Sequence, residues 1–243
     1  YKALEDWQIN VDVVDGSIFK DQTADQYEVL VLAANDCYAL DPDSELEQGI
    51  AAWVKNGGML LHGPMDFLAQ ASVGSSCLFH EKDAFKCNGE KGMLTGTQFG
   101  SFEEENADVL AVWETDDKPA VVKRTFGKGI VCEIGFLYGF EYTGRIAPHV
   151  PLTQRNNELY PLTMLKVDPV GMLLEEKFGT TLTRKKGVER AEFENGTVIV
   201  NHSSYPCRID EPGTRYFQNP ELYQDLDSKI LLPHMGVFIE RKV

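Results

Sequence analysis

The chain has 243 residues, 43% of them hydrophobic and 25% charged, an ordinary balance for a globular protein with one large or two modest domains. Its 38 acidic residues against 23 basic ones leave a formal net charge of −15, which argues against nucleic acid or an anionic membrane as partner, because both need a basic surface. No apolar run approaches the roughly 20 residues that cross a bilayer. Tyr1-Lys2-Ala3-Leu4-Glu5-Asp6 opens in amphipathic sequence, so no signal peptide is expected.

In chain order, Tyr1, Leu4 and Trp7 share a helical face, and residues 9–15 then read as a strand. Residues 27–34 are a short apolar run bounded by polar residues, which suits a strand buried on both faces. Asn35-Asp36-Cys37-Tyr38 follows as a loop. Ser44 and Glu47 have capping-box spacing, and Leu46, Ile50, Trp53 and Val54 fall on one helical face. Gly57-Gly58 ends that helix, and Met59-Leu60-Leu61-His62-Gly63 is a second buried strand. A crossover of this length joins parallel neighbours in an open sheet. Helix, strand, loop, strand, helix, strand is a flavodoxin-like, doubly wound α/β pattern without its central opening strand. An upstream strand is therefore expected before Tyr1. The alternative pairs residues 9–15 directly with the strand at Val29.

Residues 64–91 show no clean period, and residues 93–98 are read as a strand. Residues 108–114 and 119–125 read as strands, and Phe126-Gly127-Lys128-Gly129 turns the second into residues 130–136 as a hairpin. Residues 156–179 are helical with interruptions. Asp168-Pro169 suits a helix start and Gly179 a helix end. Beyond about Thr183 the period becomes alternating. Asn195-Gly196 between residues 188–194 and 197–201 predicts a hairpin with two positive φ angles. Residues 207–210, 215–218, 229–232 and 237–241 add short strands. The expected organisation is an α/β domain over residues 1–182 and a small antiparallel β domain over 183–243.

Chemistry in an open α/β sheet sits at the carboxyl ends of its strands, here residues 35–38 and 62–67. The candidate ligand-binding residues are Asn35, Asp36, Tyr38, His62 and Asp66. Nucleophilic amide chemistry needs a cysteine on a strand-to-helix elbow. The matching place holds His62-Gly63-Pro64-Met65 instead, so no glutaminase is expected. Glycoside hydrolysis needs two carboxyl groups about 5–9.5 Å apart. Asp36 and Asp66 end adjacent strands, but hydrogen bonding of the following loop is the commoner role for such aspartates. Glu103-Glu104-Glu105 and Asp116-Asp117 read as solvated loop charges, and His62 as a hydrogen-bonded core histidine. Trp7, Tyr38 and Phe67 could each offer a sugar an aromatic face, but at these spacings they read as core. The cysteines (Cys37, Cys77, Cys87, Cys132 and Cys207) contain no CxxC pair and read as free thiols of a cytoplasmic protein, with a Cys77–Cys87 bridge open if the protein is exported. No metal or cofactor is expected.

Three segments carry a family resemblance: Tyr27-Glu28-Val29-Leu30-Val31-Leu32; Trp53-Val54-Lys55-Asn56-Gly57-Gly58-Met59-Leu60-Leu61; and Lys118-Pro119-Ala120-Val121-Val122 running into Phe126-Gly127-Lys128-Gly129-Ile130-Val131. In this order they resemble the class I glutamine-amidotransferase-like trimerisation domain of family 42 β-galactosidases. The 192–200 hairpin and the ending Leu231-Leu232-Pro233-His234-Met235-Gly236-Val237 are similar to the small β domain that closes those enzymes. The resemblance implies an upstream TIM barrel carrying the catalytic carboxylates. It also implies a homo-oligomer, and a chain with no catalytic residue that serves assembly and shapes the active-site edge beside a carbohydrate ligand. A second likeness, over residues 58–67 with His62 at the strand end, is to trehalose-utilisation-like proteins and implies a free-standing carbohydrate-binding protein. A purely structural interaction domain is the third expectation.

Overall fold

The computed structural model describes residues 3–4, 7–32, 45–69, 71–81, 84–94, 99–143, 165–182, 187–224 and 226–241. These form two compact units, one from the described parts of Val14–Gly144 and Thr163–Val170, the other from those of Tyr1–Val13 and Gly171–Val243.

In the first unit β1 (Val29–Leu32), β2 (Met59–His62), β4 (Ala84–Cys87), β5 (Glu90–Met93), β7 (Asp108–Trp113), β8 (Pro119–Phe126) and β9 (Gly129–Ile134) share one sheet, ordered β1-β2-β9-β8-β7-β4-β5. The strands β3 (Leu78–His80) and β6 (Phe99–Ser101) make a separate antiparallel pair. The large sheet is mixed. β1, β2 and β9 run parallel, and every pairing from β9 outward to β5 is antiparallel. The tight β8–β9 turn imposes that switch. Gly127 holds φ +62°, and a Cβ there would meet the Lys55 carbonyl at 2.6 Å.

Helix Glu45–Lys55 connects β1 to β2, as its periodicity predicts. Ile50, Trp53 and Val54 are buried in one cluster with Leu60, Phe67, Leu68 and Val131, and Leu46 packs against it. Burying each large side chain stabilises the fold by about 1.5–3 kcal/mol. The Trp53 indole N–H donates to the Ala24 carbonyl at 3.0 Å. Gly57 (φ +128°) ends the helix, its N–H donating to the Val54 carbonyl at 2.9 Å. A second core centres on Trp113, Phe85 and Phe136, the two phenyl rings stacked with centroids 5.3 Å apart.

Several expectations need correction. Residues 9–15 form no strand: Val13 is 85% exposed, so their alternation buries no face. Instead Gln8 donates to the Val188 carbonyl, and Asn10 bonds the main chain of Glu192 through both its amide atoms. The alternative pairing of that segment with β1 is not made, and among the described residues β1 ends the sheet. The strand expected at 93–98 lies at Glu90–Met93, and residues 95–98 are outside the described residues. The last long helix spans Pro169–Phe178, with the Val170 N–H on the Asp168 carboxylate (3.0 Å) and Gly179 at φ +62°; residues 156–164 lie outside the described residues.

The second unit carries a four-stranded antiparallel sheet, β10 (Val188–Phe193), β11 (Gly196–Asn201), β15 (Gly236–Glu240) and β13 (Thr214–Phe217) in spatial order, with β12 (Cys207–Arg208) pairing β14 (Ile230–Leu231). Its core gathers Val188, Ile199, Ile209, Tyr223, Leu231, Val237 and Ile239. The β10–β11 hairpin forms as expected, but its turn is Glu194-Asn195, and neither Asn195 nor Gly196 has positive φ. Gly196 is needed for close approach: a Cβ would lie 2.3 Å from the Ile239 carbonyl oxygen and 2.7 Å from the Phe238 ring. Asn201 is buried and donates to the carbonyls of Tyr205, Leu231 and Leu232.

Candidate functional site

Strands β2 and β9 end side by side, with His62 opposite Glu133 in the parallel register. Glu133 is completely buried in an apolar strand, which demands charged or polar partners. It has them. The Arg124 guanidinium on β8 donates through Nε at 2.6 Å, the Ser75 N–H at 2.6 Å, and the Ser75 hydroxyl spans both carboxylate oxygens at 3.1 and 3.2 Å. Arg124 turns its remaining N–H groups to the carbonyls of Glu103 and Glu105. One buried ion pair thus ties the β8–β9 hairpin to the loops at residues 63–77 and 103–105.

His62 is buried between Phe67 and Phe102, both edge-on to its ring. Its Nδ1 lies 2.9 Å from the Gly63 carbonyl, which can only accept, so the proton is assigned to Nδ1. Nε2 then carries a lone pair, has no hydrogen-bond partner, and faces Glu133 Oε1 at 3.9 Å. Burial holds the imidazole below its ordinary value of 6.5, outweighing the opposite pull of Glu133 and of the Gly63 carbonyl. The ring is neutral. It is the core histidine that its apolar strand predicts, although bonded on one nitrogen only.

The rest of the loop is held by carboxylates. Asp66 is exposed, and one of its oxygens accepts from the Cys77 N–H at 2.5 Å. Glu47 accepts from the Leu68 N–H at 3.1 Å, the role that the structure gives the expected capping glutamate; Ser44 is outside the described residues. Phe67 and Trp7 are buried and present no open ring face. Asn35, Asp36 and Tyr38 also lie outside the described residues, so of the five candidates only His62 and Asp66 are placed. His62 ends β2 and Asp66 lies four residues further on, in the loop that follows, and the two do not share a bond.

The chemical capacity of this arrangement is limited. Cys77 is a free buried thiol pushed up to about 12 by burial first, then by the Asp66 and Glu133 charges, so it carries no thiolate at neutral pH. Cys87 is a thiol too, so the 77–87 bridge left open for an exported protein is not made. The Ser75 hydroxyl is bonded to a carboxylate already paired with Arg124, and it makes no hydrogen bond to the His62 imidazole. No metal-holding group of histidine, cysteine, aspartate and glutamate occurs among the described residues. No described helix is long and apolar enough to cross a membrane.

Sequence reasoning did not single out Arg124, Glu133 or Ser75. A signal was present: a glutamate alone in one apolar strand, facing an arginine beside Lys123 on the other arm of a predicted hairpin.

No protein-family model and no curated protein matches this chain. Solved structures do. The chain is similar to a β-galactosidase from the Antarctic haloarchaeon Halorubrum lacusprofundi (TM-score 0.66, 19% identity), covering 99% of this chain and 35% of that one. A β-galactosidase from Bacillus circulans sp. alkalophilus gives a TM-score of 0.63 at 15% identity, with 99% and 36% covered. The GH42 β-galactosidase Gan42B gives 0.60 at 16% identity, with 100% and 35% covered. At such identities the likeness is one of fold, and this chain spans about a third of the length of the β-galactosidases it matches.

Proposed function

We propose that this chain is the non-catalytic C-terminal portion of a β-galactosidase-like glycoside hydrolase, serving oligomerisation and shaping the edge of an active site carried by an upstream TIM barrel. The observation that carries the reading is the end-to-end match, in which 99–100% of this chain falls on 33–36% of much longer β-galactosidases. In this reading the first unit is an amidotransferase-like layer, and residues 183–243 supply the small β domain. In this reading the edge of β1, unpaired among the described residues, receives an opening strand from upstream. Val31 on β1 is 37% exposed, an apolar side chain suited to the cover that such a strand brings.

Chemistry at the strand tips supports an accessory role. Among the described residues there, the buried carboxylate is taken by an arginine and the thiol is held protonated. Sugar contact at this edge falls to exposed Asp66 and not to buried His62, and Asn35, Asp36 and Tyr38 stay candidates from the sequence alone. The trehalose-utilisation-like alternative has His62 at the strand end, and the extra β module after Thr183 speaks against it. Reading the coding sequence upstream of Tyr1 tests the proposal. A barrel with two facing carboxylates is expected, and a start codon within a few tens of residues contradicts it.

A further inference from the structure

Among its described residues, the loop that joins β2 to β3 forms no strand or helix. It closes on itself instead, with the Val73 and Gly74 N–H groups on the Leu68 carbonyl at 3.1 and 3.3 Å. Leu68 and Ser72 both take left-handed backbone there, at φ +57° and +58°. Residues with a side chain hold that conformation only where their surroundings impose it. Three carboxylates do so. Glu47 holds the Leu68 N–H, Asp66 holds the Cys77 N–H, and Glu133 on β9 holds Ser75 through both its N–H and its hydroxyl.

One of these ties is shared with a titratable ring. Glu133 Oε1, which takes the Ser75 N–H, also faces His62 Nε2 at 3.9 Å, and Nε2 is buried without a hydrogen-bond partner. Phe67, from the loop itself, and Phe102 lie edge-on to the ring. Leu32, opposite His62 on β1, is apolar too. Glu133 is the charge that faces Nε2, and Arg124 on β8 stands behind it. Cys77, at the end of the loop, keeps its proton, and Asp66 bonds the Cys77 N–H. While His62 is neutral, the charges of Arg124 and Glu133 cancel. A proton on Nε2 leaves one uncompensated positive charge in a buried place, which is costly. It also sets a further donor against an oxygen already bonded to Ser75. Opening the loop relieves both, because it draws Phe67 off the ring and admits water.

We propose that His62 is a proton-operated latch: uptake of a proton from solvent at Nε2 releases Ser75 from Glu133 and opens the loop between β2 and β3, while β2 and β9 stay paired. Proton and open loop favour each other by linkage, since the closed loop disfavours the charged ring and the open one restores its ordinary affinity. Burial holds the closed ring below 6.5, so the loop is shut at neutral pH and opens in acid. In the function proposed above, this loop carries exposed Asp66 at the active-site edge, which the latch makes acid-sensitive. The latch itself rests on the geometry of this chain alone.

The test is amide hydrogen exchange of the 243-residue chain, read residue by residue by NMR between about pH 7.5 and 5 and expressed as protection relative to the unfolded rate at each pH. The His62 ring protons are followed in the same samples. Protection at Ser75 is expected to fall at least about tenfold, with the midpoint at which His62 titrates, while Cys132 on β9 keeps its protection. In His62→Phe, which fills the place without a titratable nitrogen, Ser75 is expected to stay protected throughout. Ser75 protection that holds while His62 titrates overturns the latch, as does a ring that stays neutral across the range. Equal losses at Ser75 and Cys132 overturn it as well, for they mark unfolding of the whole unit. So does an unchanged Ser75 transition in His62→Phe; where that variant does not fold, the wild-type comparison of Ser75, Cys132 and the His62 ring decides.

Discussion

At the scale of single residues, Glu133 is a fully buried carboxylate in the first unit. A carboxylate with no exposure is tolerable only because Arg124 and Ser75 supply all of its bonds. Removing one partner leaves the other charge buried and unpaired, so Arg124→Met is expected to cost about 3–5 kcal/mol in urea unfolding. A loss below about 1 kcal/mol would show the pair to be solvated in solution. His62 gives a pH signature. Its folded value is lowered, so on acidification the unfolded chain takes up a proton before the folded one does. Stability is therefore expected to be fully present above the ordinary histidine value of 6.5 and to fall as pH drops through it, with His62→Leu flattening the slope between about pH 7.5 and 5.5. A slope unchanged in that variant contradicts the assignment. Thiol reactivity completes the residue picture. Cys77, buried and held near 12, is expected to label with a maleimide far more slowly than half-buried Cys207 in the native protein, and mass spectrometry after brief labelling reads the order directly.

At the scale of elements, the close approach of Gly58 to Trp53 governs how helix Glu45–Lys55 meets β2. A Cβ on Gly58 would sit 2.5 Å from the indole ring, which is itself packed in the core. Gly58→Ala is expected to destabilise by about 1–3 kcal/mol, and a smaller effect in thermal unfolding would mean that the helix shifts freely. Elements bound by local rules were legible in the sequence. The helix at 45–55, the strands at 59–62, 108–113, 119–126 and 129–134, and the β10–β11 hairpin all follow from periodicity and turn residues. What misled was alternation without burial. Residues 9–15 carry a strand's pattern, yet the backbone of β10 engages the side chains of Gln8 and Asn10 before any ladder forms there. Gly196 misled in another way, because a glycine beside asparagine reads as a turn residue while its real constraint is the Phe238 ring above it. The buried ion pair was half legible. Two opposite charges in facing apolar strands announce a pair, but only the fold shows that Ser75 arrives from a distant loop to complete it.

At the scale of the whole molecule, the chain joins a mixed sheet to a compact β unit, and end to end this combination matches about a third of several β-galactosidases. In the function proposed above, the edge of β1, unpaired among the described residues, receives a further strand. The most direct measurement is hydrolysis of nitrophenyl β-galactoside by the purified 243-residue chain. No turnover above buffer is expected at any pH between about 5 and 8. Turnover that survives purification and disappears in Asp66→Ala or Asp36→Ala would contradict the accessory role outright.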